Sequence, residues 1–507
     1  MSRIGTALGI ALNGLEGTVV EIEVDIAPGL PNLTIVGLAD TAIEQSKHRV
    51  RAALQNSGLQ FPDSRVVVNL SPAAVPKHGS GFDLPIAVAI LAAQGVVDPR
   101  RCERLLLCGE LSLDGRLRPV RGVLAGLLSA VHRGVDAALV PEGNLPEAQM
   151  VPALDVRGAV DLIGCAVALG ADLELQERPA LPVGPAASGP LAATGDLGDV
   201  LGQRDAVEAI IVGAAGGHHC LLIGEPGAGK TMLAERLAGI LPDLDAEAAV
   251  AVTAVHSLVG GVDQLIRRPP WQAPHHTATA PALVGGGSGV LQPGAMSLAT
   301  EGVLFLDEAP EFSPRVLDAL RQALEAGTIE IHRSRAVCRF PARFQLVMAA
   351  NPCPCGRALD PAGACTCSPA MRRRYLRRLS GPLLDRMDLR VVVPRADAMA
   401  MRAGERTSTT AAARRRVDSA RRRMRRRLQH TPWTLNARVP GAYLRRELEL
   451  PRAQTRLLDA ALDRGTISLR GYDRVLRTAW TIADLAERDR PGRAEIARAL
   501  SWREVLS

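Results

Sequence analysis

Over residues 1–170, short apolar runs alternate with longer stretches of helical periodicity. Val19–Ile26, Leu33–Val36, Arg65–Leu70 and Leu105–Gly109 read as strands, and Thr41–Ser57, Leu84–Gln94 and Val120–Arg133 as helices. That mixture predicts an α+β or α/β unit. Residues 176–198 (QERPALPVGPAASGPLAATGDLG) have no hydrophobic periodicity and are rich in Pro, Gly and Ala, so residues 171–198 are expected to form a linker. A second α/β pattern fills residues 199–395. From 396 to 507 the pattern is helical, with turn signals near Pro432, Pro440, Pro451, Gly465 and Pro491. The expected fold class is therefore α/β with a helical C-terminal unit, and no segment repeats.

No apolar run approaches the roughly 20 residues that span a bilayer. The best, Leu84–Val97, is short and interrupted by Gln94 and Gly95. The start, MSRIGTALGIALNG, has no secretory cleavage pattern. A cytoplasmic protein with no membrane partner is expected. Its 507 residues, 47% hydrophobic and 22% charged, suit a globular chain of about three domains. Aromatic residues are only 3%, which argues against recognition by many base-stacking platforms.

Formal net charge is +7, and nearly every basic residue is arginine, the lysines being Lys47, Lys77 and Lys230. Arginine has GC-rich codons, so its abundance alone says little about ligands. Its distribution says more: residues 371–440 carry 20 Arg against 5 acidic residues, a local +15 that leaves −8 for the remainder. A concentrated positive field is the footprint expected of phosphate binding. Residues 411–429 (AAARRRVDSARRRMRRRLQ) read as a helix with arginines on all sides. Two readings stay open for it: a solvated helix, or a contact with a nucleic-acid backbone that carries affinity but little sequence information.

Residues 220–231, CLLIGEPGAGKT, join an apolar strand to a glycine-rich loop and a helix-forming stretch. Gly224-Glu225-Pro226-Gly227-Ala228-Gly229-Lys230-Thr231 has the spacing of a phosphate-binding loop in the context that motif requires. Gly227 and Gly229 let backbone N–H groups turn toward phosphate oxygens, and the helix N-terminus adds positive potential. Lys230 is suited to the β- and γ-phosphates and the Thr231 hydroxyl to Mg²⁺. A second apolar strand, VLFL, ends in Asp307 and Glu308. Asp307 is expected to hold Mg²⁺, and Glu308 to orient or deprotonate the attacking water. A third, FQLVMAA, ends at Asn351, which could meet the γ-phosphate or the water. Together these predict hydrolysis of a nucleoside triphosphate, with ATP and Mg²⁺ as cofactors.

Cys353, Cys355, Cys365 and Cys367 crowd one loop as C-x-C, nine residues, C-x-C. Four thiolates on one loop can close a tetrahedral structural Zn²⁺ site, and Zn²⁺ is the expected occupant. Free thiols and redox chemistry remain the alternatives. Cys102, Cys108, Cys165, Cys220 and Cys338 lie among apolar neighbours and are expected in the core.

VLGQRDAVEAI, GEPGAGKT, APHHTATAPALVGGGSG, GVLFLDEAPEF, AANPCPCG and LSGPLLDRMDL together resemble the ComM (YifB-like) family, AAA+ ATPases related to the magnesium chelatase ATPase subunit. The resemblance covers essentially the whole chain. It implies that Asn351 is sensor 1, that Arg386 in LLDRMDL is an arginine finger reaching a neighbouring subunit, and that the active form is a homo-oligomeric, hexameric ring. Arg470 in SLRGYDRVLRTAW best matches sensor 2, with Arg474 the alternative. The resemblance further implies a DNA helicase that promotes branch migration of recombination intermediates, on branched or single-stranded DNA. The alternative is a chelatase-like or protein-remodelling ATPase acting on a protein client.

VPKHGSGFDLPIAVAI and LCGELSLDGRLRPVRG resemble a Lon-protease-like domain. Gly81 and Leu124 stand where that family's serine and lysine are expected, so a non-catalytic scaffold is implied for residues 1–170. The 77 positions from Lys230 to Asp307 leave room for a loop carrying His275 and His276. GTIEIHRSRAVCRF reads as a hairpin in which Ile329, Ile331 and Val337 alternate around a tip with Arg333 and Arg335. Both inserts are expected to grip DNA in the ring's channel.

Overall fold

The computed structural model describes residues 3–37, 40–175, 178–181, 195–287, 291–333, 336–359, 363, 365–395 and 407–503. Residues 176–177 and 182–194 of the expected linker lie outside that set, as do Ser334 and Arg335 at the hairpin tip.

The N-terminal region is built on a seven-stranded mixed sheet. Its strands are β1 (Arg3–Asn13), β2 (Glu16–Ala27), β3 (Asn32–Val36), β4 (Arg65–Ser71), β5 (Leu105–Leu107), β6 (Ala137–Pro141) and β7 (Asp155–Ala159), in the order β3-β4-β2-β1-β5-β6-β7. Helices α1 (Thr41–Asn56), α2 (Asp83–Gln94), α3 (Val123–Val131) and α4 (Leu162–Ala168) pack on it. Strand β1 is absent from the sequence-based expectation. Its run is rich in small residues, and the reason is packing: a Cβ at Gly5 would stand 2.2 Å from the Ala89 carbonyl oxygen, so helix α2 lies directly on the strand. That helix is buried from Asp83 to Ala93, which explains an apolar run with no polar face. Helix α3 is shorter than the expected Val120–Arg133, because Gly122 adopts φ 76° and starts the helix after it.

The central region adds α5 (Arg204–Gly216), β8 (Cys220–Gly224), α6 (Lys230–Gly239), α7 (Ala246–Ser257), β9 (Trp271–Gln272), β10 (Val303–Leu306), α8 (Pro314–Ala326), β11 (Thr328–Arg333), β12 (Ala336–Pro341), β13 (Gln345–Ala350), α9 (Pro369–Leu376), α10 (Gly381–Arg386) and β14 (Leu389–Val393). Five strands form a wholly parallel sheet in the order β9-β10-β13-β8-β14. Alternation splits them between two layers: Leu222, Phe305 and Val347 face one cluster, Leu221, Leu304 and Met348 the other. Burial on both faces is why these strands read as unbroken apolar runs.

In the C-terminal region, α11 (Thr410–Arg427), α12 (Arg452–Asp463), α13 (Leu469–Leu485) and α14 (Arg493–Ser501) pack together and onto the central sheet. Helix α11 is not uniform. Ala413, Val417, Ala420 and Met424 make a buried stripe, and several of its arginines are committed inside the chain. Arg416 pairs with Glu208 at 2.7 Å, Arg427 with Asp484 at 2.7 Å, and Arg421 donates to the Ala214 carbonyl at 2.7 Å. Burial pushes the Arg421 pKa down to about 10.

The hairpin β11–β12 forms as expected, but its register pairs Ile331 with Cys338 and Ile329 with Phe340. Partners across an antiparallel pair share a face, so Ile329, Ile331, Cys338 and Phe340 point inward. Val337, which alternates with the isoleucines in the sequence, is 50% exposed. Cys338 and Phe340 are buried in one cluster with Leu106, Leu124 and Val140 of the N-terminal region. Asn13 Nδ2 donates to the Val337 carbonyl at 3.2 Å, and Gly122 N donates to the Ser257 carbonyl at 2.9 Å. One face of the hairpin is thus an inter-region seam, not a surface open to a channel.

Candidate functional site

Three adjacent parallel strands, β10, β13 and β8, end on the same edge of the central sheet, and each delivers a side chain there. Crevices at the carboxyl ends of such strands are the usual ligand sites of open α/β sheets. Gly227 and Gly229 take φ 78° and 85°, a left-handed backbone that a side chain would strain. Lys230 opens α6, buried, and its Nζ donates to the carbonyls of Gly224 (2.8 Å) and Glu225 (2.9 Å) and to Asn351 Oδ1 (3.1 Å). Burial lowers its pKa, opposed by the charges of Asp307, Glu308 and Glu225. Thr231 Oγ1 donates to Asp307 Oδ2 at 2.6 Å, and the Glu308 N–H to Asp307 Oδ1 at 2.9 Å. Glu308 itself sits at φ 50°, ψ 43°, with its side chain half exposed. Lys230, Thr231, Asp307, Glu308 and Asn351 are therefore brought together at this edge.

Sequence reasoning assigned no role to three neighbours of this loop. Gln203 is buried, and its Nε2 donates to the carbonyls of Ala228 (2.8 Å) and Pro394 (2.7 Å), tying the loop to the end of β14. Arg395 pairs with Glu225 at 2.8 Å. Gly356 (φ 78°) lies so close that a Cβ there would stand 2.6 Å from the Pro226 ring. Gln203 and Gly356 stand inside quoted motifs, but nothing in their spacing told which atoms they approach.

Gly356 belongs to the cysteine loop. Cys353 follows Asn351 by two positions, and the Sγ atoms of Cys353, Cys355, Cys365 and Cys367 all lie within 4.8 Å of one another. The closest separations are 3.4, 3.6 and 3.7 Å. Thiolates about 2.3 Å from a tetrahedral zinc stand about 3.8 Å apart, so this donor set fits the ion. The Arg357 N–H and the Cys353 thiol draw the Cys355 pKa down to about 6, which supplies a ready thiolate. The five other cysteines are buried, and burial pushes the Cys108 thiol up to about 12.

Arg386 and Arg470 are elsewhere. Both line a cleft of about 660 Å³ with His219, Glu301, Gln345 and Asp388, residues at or just before the first positions of the parallel strands. That is the opposite edge of the sheet from the phosphate loop, and the five residues of β8 alone separate the edges by about 16 Å. Arg386 pairs with Glu325 of α8 and donates to the Pro382 carbonyl at 2.6 Å. Burial lowers its pKa, and Arg321, Arg474 and Arg470 lower it further. Arg474, the alternative to Arg470, is tied up: it holds the buried Asp388 at 2.6 Å, and despite burial that charge keeps the Asp388 carboxyl well below its usual range. Arg470 makes no ion pair or hydrogen bond among the described residues.

At the positions that resemble a serine–lysine dyad, Gly81 has no side chain, and Leu124 is buried with its N–H donating to Glu147 Oε1 at 2.9 Å. The adjacent Ser80 hydroxyl bonds to Glu110. Lys77 is buried, with Nζ donating to the carbonyls of Leu70 (2.9 Å) and Pro72 (2.5 Å). His276 Nδ1 lies 3.4 Å from Glu308 Oε2, and His275 bonds Thr277 Oγ1 at 2.9 Å.

Among the described residues, no helix is long and apolar enough to cross a membrane. Residues 196–401 match the family model described as magnesium chelatase, subunit ChlI. Residues 22–144 match subunit ChlI of Mg-chelatase, and 407–503 the ChlI C-terminal model. An uncharacterised protein of Mycobacterium tuberculosis is 49% identical over 99% of both chains. Competence protein ComM of Haemophilus influenzae is 39% identical over 97% of this chain and 96% of that one. A Lon protease of Mycolicibacterium smegmatis is 30% identical over 31% of this chain and 21% of its own length. The matched segments, the full-length likeness and the parallel sheet with its phosphate loop converge: the chain belongs to the ComM (YifB-like) family of magnesium chelatase-related AAA+ ATPases.

Proposed function

We propose that the chain is a ring-forming ATPase that cleaves ATP between adjacent subunits and spends the energy moving along DNA, promoting branch migration. The observation that carries the ATPase reading is the joined cluster of Lys230 with Asn351 and Thr231 with Asp307. The loop N–H groups and Lys230 neutralise the β- and γ-phosphates. Thr231 and Asp307 hold Mg²⁺, which withdraws charge from the phosphate oxygens. Glu308 orients a water and takes its proton as the terminal P–O bond breaks to give ADP and phosphate. Asn351 steadies the γ-phosphate or the water.

Arg386 and Arg470 complete the site of the next subunit, Arg386 as the finger. Their position on the far edge of the sheet supports this, since neither is suited to its own nucleotide there. A hexamer is the assembly we propose. The four cysteines hold one structural zinc, which metal analysis of the purified protein tests. Residues 1–170 serve as a Lon-like, non-catalytic scaffold, 171–198 as a linker, 199–395 as the ATPase core and 396–507 as the lid. The buried Lys77, bonded among the described residues only to backbone carbonyls, supports the scaffold reading.

The DNA substrate rests on the ComM relative and on the arginines of residues 371–440. The arginines of α11 committed to Glu208, Asp484 and Ala214 weaken the second support, and they favour the other reading, a chelatase-like remodeller of a protein client. Forked DNA decides between the two. Under the DNA reading it stimulates ATP hydrolysis, and rising salt suppresses the stimulation. Hydrolysis indifferent to DNA at low salt would leave the protein-client reading.

A further inference from the structure

We propose that His276 is a positioning residue for Glu308, fixing the carboxylate that activates water. The inference rests on Glu308 being the base of the proposed ATPase. Glu308 has a rigid backbone and an unsupported side chain. Its left-handed φ of 50° is held by the Glu311 N–H donating to its carbonyl at 2.7 Å and by its own N–H on Asp307. Such a conformation is strained and persists where the surroundings impose it. Its carboxylate is 51% exposed. A half-exposed glutamate exchanges rotamers freely unless something holds it, and a general base acts only within hydrogen-bond reach of its water.

His276 supplies the hold. Its Nδ1 lies 3.4 Å from Oε2, an ion-pair separation with no hydrogen bond formed; the proposed hold closes that contact on one carboxylate oxygen and leaves Oε1 for the water. The ring is itself supported. It lies against His275 with centroids 4.1 Å apart, and His275 is fixed by Thr277 Oγ1 and by the Ala278 N–H on its carbonyl at 2.9 Å. The next turn starts the helix Ala280–Val284, whose Leu283 is buried with Leu304 and Leu306, the strand that ends at Asp307. The histidine and the glutamate are therefore referenced to one piece of core. The adjacent histidines divide the work: one faces the carboxylate, the other braces the turn.

The test is steady-state ATP hydrolysis by the full chain with Mg²⁺, alongside binding of a fluorescent ATP analogue. His276→Ala is expected to lower kcat about tenfold or more while KM and nucleotide affinity stay within about twofold. His276→Asn, which keeps a donor at the δ position, is expected to recover most of kcat, and His275→Ala, which removes only the brace, to lose clearly less of kcat than His276→Ala. Normal kcat in His276→Ala overturns the inference, as does an Asn variant no better than Ala, or an equal loss in His275→Ala. Failure of the underlying reading looks different: either the unmodified protein turns over no ATP, or Glu308→Gln leaves kcat unchanged, and the inference then falls with it.

Discussion

The two edges of the central sheet differ in completeness. At the carboxyl edge the named side chains pair within the same chain: Lys230 meets Asn351, Thr231 meets Asp307, and Glu225 meets Arg395. At the amino edge Arg386 and Arg470 stand in a cleft lined by eight arginines and six carboxylates; neighbouring arginines repel Arg386, which Glu325 pairs, while Arg470 has no ion pair or hydrogen bond among the described residues. An arginine left without an anion beside like charges is unfavourable, so the second edge reads as half of a site. A phosphate-bearing first edge from another copy would be its complement.

The largest effect is expected from Lys230→Ala, which should weaken ATP binding at least about 100-fold by calorimetry, while loss of the far-edge arginines should leave binding intact. Arg386→Ala should lower kcat about 1,000-fold. Mixing those two inactive proteins should restore part of the activity, because one supplies a working carboxyl edge and the other a working amino edge. No recovery would mean that each chain uses only its own arginines. Gly356→Ala acts more gently. The left-handed backbone costs about 1–2 kcal/mol, and the methyl presses on Pro226. Nucleotide affinity should fall about tenfold with cysteine-bound metal unchanged.

The smallest effect lies outside both edges, at Glu147. Burial lifts its pKa to about 7, against hydrogen bonds from the Leu124 N–H and Asn144 that lower it. The folded chain keeps a proton that the unfolded chain loses above its ordinary 4.5, so stability falls as pH climbs from about 4.5 to 7 and is flat beyond. Glu147→Gln should flatten that slope and gain about 2 kcal/mol at pH 8, read by denaturant titration.

What the sequence disclosed follows from how local the cause is. The phosphate loop and the strand ending in Asp307 are spelled by contiguous residues whose chemistry needs that order. Asn351 was legible because a buried strand ends there. Strand β1 was not, since Gly5 and Gly9 serve a helix some 80 positions away that the chain cannot advertise locally. The outward facing of Val337 was not legible, because alternation gives a period but the cross-strand register decides its phase. Arg386 and Arg470 were legible as residues through resemblance, yet their meeting in one cleft depends on how α10 and α13 pack. His276 beside Glu308, 32 positions on, belongs to the same class.

Phe340 and Cys338, sunk among N-terminal side chains, have a mechanical consequence. Two halves joined only by a flexible tether would part once it was cut. Here the grip lies in the apolar plug and the Gly122–Ser257 bond, so nicking the backbone between residues 182 and 194 should leave both fragments travelling as one particle.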